Sequence, residues 1–283
     1  MGLVISFILL LLQPQLMVTV IDARSLNPVP YTIVLSSQFN GITNEQGELS
    51  LPDNIDSLTF RCLGYEQYTI AFAELEFERG KAIIKLKAKT FELNAVEVTA
   101  KRITKIPLGY FTKRSRASHG SSGGGQMALF IPPDKRGNLI GLPVGSVSFY
   151  IRKWSSLRKF RVRLYSVNPE SGEPGEDLLP EAVYAQPQKG DEWVSVRLRQ
   201  YGITYPENGV FAGIEFLPNT EEHNDADGKM KTLNFGVNFE DVNNGRTWSF
   251  IFKTQKWEQC LPLHKDQRVG NAMIKLELFK EKK

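Results

Sequence analysis

Cysteine and histidine are scarce in this sequence of 283 residues: Cys62 and Cys260 are the only thiols, and the histidines are His119, His223 and His264. A disulfide framework or a Cys/His zinc site needs clusters at short spacing, and none is present. Cys62 ends the apolar stretch Leu58-Thr59-Phe60-Arg61-Cys62, where a thiol behaves as a small hydrophobe. The histidines are scattered without neighbouring metal-ligand partners. There is no Gly-x-Ser-x-Gly elbow and no His-Glu-x-x-His helix. Ser121 to Gly125 is rich in glycine, but it lacks the strand-loop-helix context and the Gly-Lys-Ser/Thr of a phosphate-binding loop. No metal, no cofactor and no catalytic residue are expected.

Long apolar runs are also missing, with one exception at the start. Gly2 to Leu12 is too short for a spanning helix of roughly 20 residues and suits the apolar core of a signal peptide. Residues 1–16 are therefore expected to be an export signal, although no Lys or Arg precedes the run and no small-x-small cleavage site follows it. A buried first strand or helix is the alternative. No cysteine follows the run, which argues against a lipid anchor. Hydrophobic residues at 41% and charged ones at 23% are ordinary for globular protein. The length suits two domains, because one core commonly serves about 100–200 residues.

The net charge of +4 is unevenly placed. Residues 17–88 have an acidic excess, residues 89–118 a strongly basic one, and the remainder is nearly balanced. Residues 89–118 read as a basic extended linker between domains. The stretch 101–116, with Lys101, Arg102, Lys105, Lys113, Arg114 and Arg116, could touch anionic headgroups as a peripheral membrane contact or could simply be solvated.

Within 17–88 apolar and β-branched residues alternate at period two, as in Val18-Thr19-Val20-Ile21 and Tyr31-Thr32-Ile33-Val34-Leu35, which predicts strands. Pro28 and Pro30 lack an amide donor and mark a connection. Asn40-Gly41 and Glu45-Gln46-Gly47 read as tight turns. Further strands are expected at Glu48 to Leu51, Leu58 to Cys62, Tyr65 to Phe72 and Ala82 to Leu86. Six or seven short strands with frequent turns predict a β-sandwich.

Five elements in this order carry a resemblance: Val18-x-Val20-x-Asp22, Pro28-Val29-Pro30-Tyr31, Thr43-Asn44-Glu45-Gln46-Gly47, Leu63-Gly64-Tyr65-Glu66 and Leu93-Asn94-Ala95-Val96-Glu97-Val98. Together they resemble the carboxypeptidase regulatory-like domain, in the version found at the N-terminus of TonB-dependent outer-membrane receptors and other exported proteins of Bacteroidetes-type bacteria. The resemblance covers about residues 17–100. It implies a seven-stranded transthyretin-like sandwich without catalytic activity of its own, in a protein of the periplasm or outer membrane. Asn44 stands where the family usually has Asp, which weakens any expectation of a cation at that turn. Receptor function is not carried over, because the rest of the chain lacks the alternating ten-residue lipid-facing strands of a barrel.

Residues 119–283 offer strand candidates at Gln126 to Ile131, Gly145 to Ile151, Lys159 to Val167, Trp193 to Arg199, Gly209 to Leu217, Leu233 to Val237, Trp248 to Phe252 and Ala272 to Phe279. Without a convincing amphipathic helix among them, two antiparallel sheets in a jelly-roll-like sandwich are expected, making the chain all-β. In Phe160-Arg161-Val162-Arg163-Leu164 and Val194-Ser195-Val196-Arg197-Leu198-Arg199 the arginines share one face. If these strands are neighbours, Arg161, Arg163, Arg197 and Arg199 form a basic stripe, either a solvated outer face or a contact for an acidic glycan or other polyanion. Nucleic acid is disfavoured by the export signal.

Exposed tryptophans stack on sugars, and of the four in the sequence Trp154 and Trp257 are the candidates for a glycan contact, whereas Trp193 and Trp248 begin strands and are expected in the core. Asn224-Asp225-Ala226-Asp227-Gly228 resembles part of a calcium loop, but Lys229 and Lys231 follow where a later acidic ligand is needed, so a surface turn is expected. Paired carboxylates for glycoside hydrolysis cannot be picked out by spacing. The expected function is non-catalytic binding or scaffolding in the cell envelope, with a glycan or an envelope protein as partner. A carbohydrate-binding module is the alternative, and an enzyme acting on glycans or peptides comes after it.

Overall fold

The computed structural model describes residues 16–52, 55–89, 103–110, 115, 117–121, 124–153, 155–190, 192–218, 232–241, 244–251, 254–260 and 268–281. Residues 1–15 of the expected signal peptide, the Leu93–Val98 element of the resemblance, the basic side chains of 101–116 other than Lys105, Trp154, the Asn224–Gly228 turn, His223 and His264 lie outside these residues, whereas Leu16, the last residue of the expected signal, packs on the first unit's core. The chain divides into two units, Met1–Ala88 and Lys89–Lys283. Both are built from β-strands, and the chain is all-β. No helix among the described residues is long and apolar enough to cross a membrane.

The first unit contains β1 (Met17–Asp22), β2 (Ile33–Leu35), β3 (Asn40–Ile42), β4 (Glu48–Ser50), β5 (Ser57–Arg61), β6 (Tyr68–Ala71) and β7 (Lys81–Leu86). A three-stranded sheet in the order β4-β1-β7 packs on a four-stranded one in the order β3-β2-β5-β6. The period-two pattern explains the packing: Val18 and Val20 of β1, Ala82, Ile84 and Leu86 of β7, and Leu58 and Phe60 of β5 turn inward and are buried in one core.

The turns show why the motif residues are needed. The Asn44 side-chain oxygen accepts from the amides of Gln46 (3.0 Å) and Glu48 (2.8 Å), closing the turn before β4. Gly47 has φ of 73°, and a Cβ there would lie 2.4 Å from the Val20 carbonyl oxygen, so both backbone conformation and space require glycine. The Asp22 carboxylate accepts from the amides of Arg24 (2.9 Å) and Ser25 (2.6 Å). The bond to the Ser25 amide, with a smaller contribution from a hydrogen bond to Tyr65, holds that carboxyl below its ordinary value. Two motifs distant in sequence thus meet at one side chain.

One turn falls elsewhere than expected. Asn40-Gly41 lies within β3, paired with β2, and the chain reverses at Ser36–Phe39, where the Ser36 hydroxyl accepts from the amide of Phe39 (2.8 Å). Gly41 leaves room for side chains: a Cβ there would meet Leu49 and Phe39 at 2.8 Å.

The second unit contains β8 (Ile103–Gly109), β9 (Ala117–Ser121), β10 (Gln126–Ile131), β11 (Val144–Ile151), β12 (Phe160–Val167), β13 (Pro174–Asp177), β14 (Val183–Ala185), β15 (Glu192–Arg197), β16 (Val210–Glu215), β17 (Leu233–Asp241), β18 (Thr247–Ile251), β19 (Lys256–Gln259), β20 (Arg268–Ala272) and β21 (Ile274–Glu281). One sheet has the order β13-β12-β16-β10-β18-β19, with β14 also on β12; the other has β20-β17-β11-β21-β8, with β15 on β11 and β9 on β17. The sheets face each other across a core in which Phe149 of β11 meets Phe160 of β12 edge-on at 5.3 Å.

The expected basic linker is corrected here. Its described part is sandwich: β8 pairs along β21, setting Ile106 opposite Leu278 and Leu108 opposite Leu276. Apolar partners across the ladder, unseen in the local pattern, draw it in. Lys105 sits 3.3 Å from Glu277 and over the Phe279 ring, with its side chain 64% exposed. Tyr110, just past β8, is buried and its hydroxyl meets the amide nitrogen of Asn271 at 2.9 Å.

Candidate functional site

Strand β12 has two buried faces. Phe160, Val162 and Leu164 enter the core between the sheets, so Arg161, Arg163 and Tyr165 project from the opposite face. Register places Arg161 between Tyr184 of β14 and Glu215 of β16. Glu215 stands opposite Gln126 of β10, Gln126 opposite Phe250 of β18, and Phe250 opposite Trp257 of β19. One row of side chains therefore crosses the sheet from a charged side to an aromatic side.

On the charged side Oε2 of Glu215 accepts from Nε of Arg163 at 2.7 Å, with Nη2 also in contact, and from Nη1 of Arg161 at 3.4 Å. Arg163 donates to Asp177 at 2.9 Å through Nη1. Arg161 donates to the Tyr184 hydroxyl at 3.0 Å, and its guanidinium lies 5.3 Å from the centre of the Tyr184 ring. Arg161 and Glu215 are both 0% exposed. Such burial is tolerable only because two cations and two carboxylates neutralise one another. Burial opposes ionisation of Glu215, but the charges of Arg161 and Arg163 together outweigh it and hold the carboxyl below its ordinary value. For Asp177 burial is the larger influence, and its carboxyl is raised despite Arg163. Oε1 of Glu215 is buried without a hydrogen-bond partner among the described residues.

On the aromatic side the β18–β19 hairpin curls over the sheet. In a flat sheet β12 and β19 would stand about 19 Å apart, four spacings of about 4.8 Å. Yet the rings of Tyr165 and Trp257 meet edge-on at 5.5 Å, and Phe211 meets Trp248 edge-on at 6.2 Å. Ala128 and Gly213, opposite each other in the middle of the face, add no bulk and let the rings close. The Tyr165 hydroxyl donates to the side-chain oxygen of Gln126 and ties the aromatic cluster to the charged row. Trp248, Phe250 and Trp257 remain partly exposed along the hairpin.

The expected stripe of four arginines does not form. Arg161 and Arg163 are buried in ion pairs, whereas Arg197 ends β15, which pairs with β11 in the other sheet, and is exposed. Arg199 lies beyond that strand in a short 3-10 turn, with its guanidinium 5.9 Å from the centre of the Phe279 ring. Like alternation in two strands did not make them neighbours, and Glu215 and Asp177 turned the polar face of β12 into an interior. Trp257 is half-buried rather than openly displayed. Trp193, expected in the core, is only partly buried; it meets Tyr150 edge-on at 5.4 Å, with the Lys275 ammonium 5.7 Å over its ring. Trp248 is likewise only partly buried. His119 on β9 lies against Phe235, and among the described residues no group of three or more His, Cys, Asp or Glu is placed to hold a metal. The site residues missed in the sequence are Glu215, Asp177, Gln126 and Tyr184. A signal for Glu215 existed, since it ends the apolar run Val210 to Ile214 where a lone acid needs a buried partner.

No protein-family model matches the chain, and no curated protein matches it. Among solved structures, the clostridial cysteine protease Cwp84 after propeptide cleavage aligns at 12% identity and a TM-score of 0.38, over 63% of this chain and 40% of that one. A structure from work on the promiscuous specificity of carbohydrate-binding modules of the β-sandwich superfamily aligns at 9% identity and a TM-score of 0.21, over 74% of this chain and 83% of that one. This chain thus spans less than half of the protease chain, and similarity at these scores establishes neither a shared fold nor a function.

Proposed function

We propose that this chain is a non-catalytic binding protein exported to the bacterial cell envelope, with its contact surface on the second sandwich. The observation that carries the reading is the curled β18–β19 hairpin, which offers the partly exposed Trp248, Phe250 and Trp257 beside a rigid, internally neutralised charge cluster. A surface of this kind gains binding energy from aromatic area at small entropic cost, while the buried ion pairs keep the sheet beneath it fixed. The charged groups of this cluster are committed to one another. The apolar run at Gly2 to Leu12 and the first unit's seven described strands, with Asn44 and Gly47 of the motif in one of its turns, support export and the resemblance to carboxypeptidase regulatory-like domains.

A glycan is the second reading, favoured by the partly exposed Trp248 and Trp257 on one hairpin, with the polar Gln259 opposite Trp248. Incubation of the chain lacking residues 1–16 with a glycan array, and a parallel pull-down from envelope extracts, tests both. Retention of a defined sugar or envelope protein that is lost in Trp257→Ala, with folding kept, is the expected result. Turnover of a glycan or peptide substrate, or retention unchanged in Trp257→Ala and Trp248→Ala, would overturn the proposal.

A further inference from the structure

Among the described strands, β15 pairs with β11 alone. The Leu198 amide donates to the Gly145 carbonyl at 2.9 Å, in phase with the pairs Val147–Val196 and Phe149–Val194. Antiparallel ladders alternate, so the backbone groups of Val194 and Val196 point toward β11 and those of Trp193, Ser195 and Arg197 point away from it. The Arg197 carbonyl accepts from the Gln200 side chain at 3.2 Å, and the other outward groups have no partner among the described residues. Side chains show the same opening. Val194 and Val196 face the core beside Phe149 and Val147, which are 1% and 0% exposed, yet both remain only partly buried, so the core is incomplete along this edge. On the outer face Ser195 and Arg197 are exposed, and Trp193 has Tyr150 and the Lys275 ammonium on its β11 side, which leaves its other side to the edge. Lysine, proline and bulges are the usual guards of an open edge. At other sheet ends β8 carries Lys105 and Pro107, β13 carries Pro174 and β19 carries Lys256. Glu192–Arg197 has neither residue, and its ladder with β11 runs without a register shift.

We propose that β15 is a homodimer edge, to which a second copy of this chain adds its own β15 antiparallel about a two-fold axis at Ser195. Residues with outward backbone groups then face one another: Ser195 meets Ser195, and each Trp193 meets Arg197 of the other copy. The edge is its own complement. Each indole takes the other copy's guanidinium on its open side, Val194 meets Val196 where the core is incomplete, and no like charges stand directly opposite. Lys275, on the inner side of the ring, is offset by Glu277 at 3.1 Å. A foreign strand would have to present aromatic, cationic and apolar residues at this one spacing, whereas a second copy presents them by symmetry. Two joined copies carry two β18–β19 hairpins, so the contact proposed above becomes bivalent.

The test is amide hydrogen exchange of the full chain across a concentration series, with sedimentation in parallel. Exchange at Trp193, Ser195 and Arg197 is expected to slow as concentration rises, with a dissociation constant on the order of tens of micromolar, as suits an interface of one strand pair. Ser195→Pro removes the central outward amide without breaking a bond to β11 and should leave a folded monomer. Trp193→Lys sets lysine opposite Arg197 of the other copy and should weaken the dimer roughly tenfold, the size expected of two cross-strand pairs turned to like charge. Adding Arg197→Glu to Trp193→Lys should restore it. Exchange at these amides that does not depend on concentration, dimerisation unchanged in Ser195→Pro, or no recovery in the double variant would overturn the proposal. The measurement needs no ligand, so its failure leaves the reading of the β18–β19 hairpin untouched.

Discussion

Replacing Glu215 with Gln keeps the side chain's shape and removes one charge from a buried group of four. The carboxylate is within 3.4 Å of Arg161, accepts from Arg163 at 2.7 Å, and shares Arg163 with Asp177. In Glu215→Gln two guanidiniums share one carboxylate, leaving an excess positive charge in a site where the Arg161 and Glu215 side chains are each 1% exposed. Removing one partner of a buried ion pair costs about 3–5 kcal/mol. The Tyr184 contact to Arg161 is the same in both proteins and leaves the difference unchanged, whereas the amide oxygen of Gln can still accept from Arg163, which places the loss at the lower end of that range. The net loss expected is roughly 3 kcal/mol. All four tryptophans lie beyond residue 150, so tryptophan emission during urea unfolding of the full chain reports the second unit alone. With a slope of about 2 kcal/mol per molar urea, the midpoint should fall by about 1.5 M. A loss below about 1 kcal/mol, the worth of a surface ion pair, would refute the idea that this cluster is a desolvated, mutually dependent unit. Replacing Arg161, Arg163, Glu215 and Asp177 together by apolar residues of similar volume should cost far less than Glu215→Gln, because all four charges would leave together.

Acid should separate the two carboxylates. Glu215 is held below its ordinary value of 4.5, so its contribution is present above that pH and lost as pH falls through the folded value; Asp177 is raised, so its ionisation costs the folded state stability as pH rises. Unfolding free energies across the acid range should therefore rise less steeply with pH in Glu215→Gln and more steeply in Asp177→Asn. In the first unit Asn44→Ala should cost about 1 kcal/mol by removing the acceptor for two amides, while Asn44→Asp should be near neutral, as calorimetry can show. Asn271 is 0% exposed; its oxygen accepts from the Arg246 amide at 2.7 Å and its nitrogen donates to the Asn244 carbonyl and the Tyr110 hydroxyl. Asn271→Leu should cost about 3 kcal/mol in the same urea assay, more than Tyr110→Phe at about 1 kcal/mol.

Much of the strand inventory was legible because burial writes a local signature. The expected Gln126 to Ile131 is β10, and Lys159 to Val167 differs from β12 only at its first residue. What period two does not record is which strand lies alongside. Strands β8, β9, β13, β14, β19 and β20 were missed: most are short or lie at sheet margins, and β8, β9 and β20 owe their strand state to ladder partners distant in sequence. Asn40-Gly41 was misplaced for a related reason, since glycine that makes room for Leu49 reads the same as glycine that makes a turn.

The candidate site shows that limit most clearly. Phe160-Arg161-Val162-Arg163-Leu164 and Val194-Ser195-Val196-Arg197-Leu198 have like alternation, yet Arg163 is 6% exposed and Arg197 is on the surface. The difference is carried by β16, which brings Glu215 to one side of β12, and by β13, which brings Asp177 to the other. No counterpart of Glu215 stands opposite Arg197, whose register partner on β11 is Ser146. An arginine's alternation specifies only that it leaves the core face; whether it then meets water or a carboxylate is decided by residues on other strands, 14 positions away for Asp177 and 52 for Glu215. Once β16 supplied the acid, the second face of β12 became an interior, and the aromatic hairpin could close over it. The surface proposed for binding therefore depends on the same ion pairs that removed Arg161 and Arg163 from it.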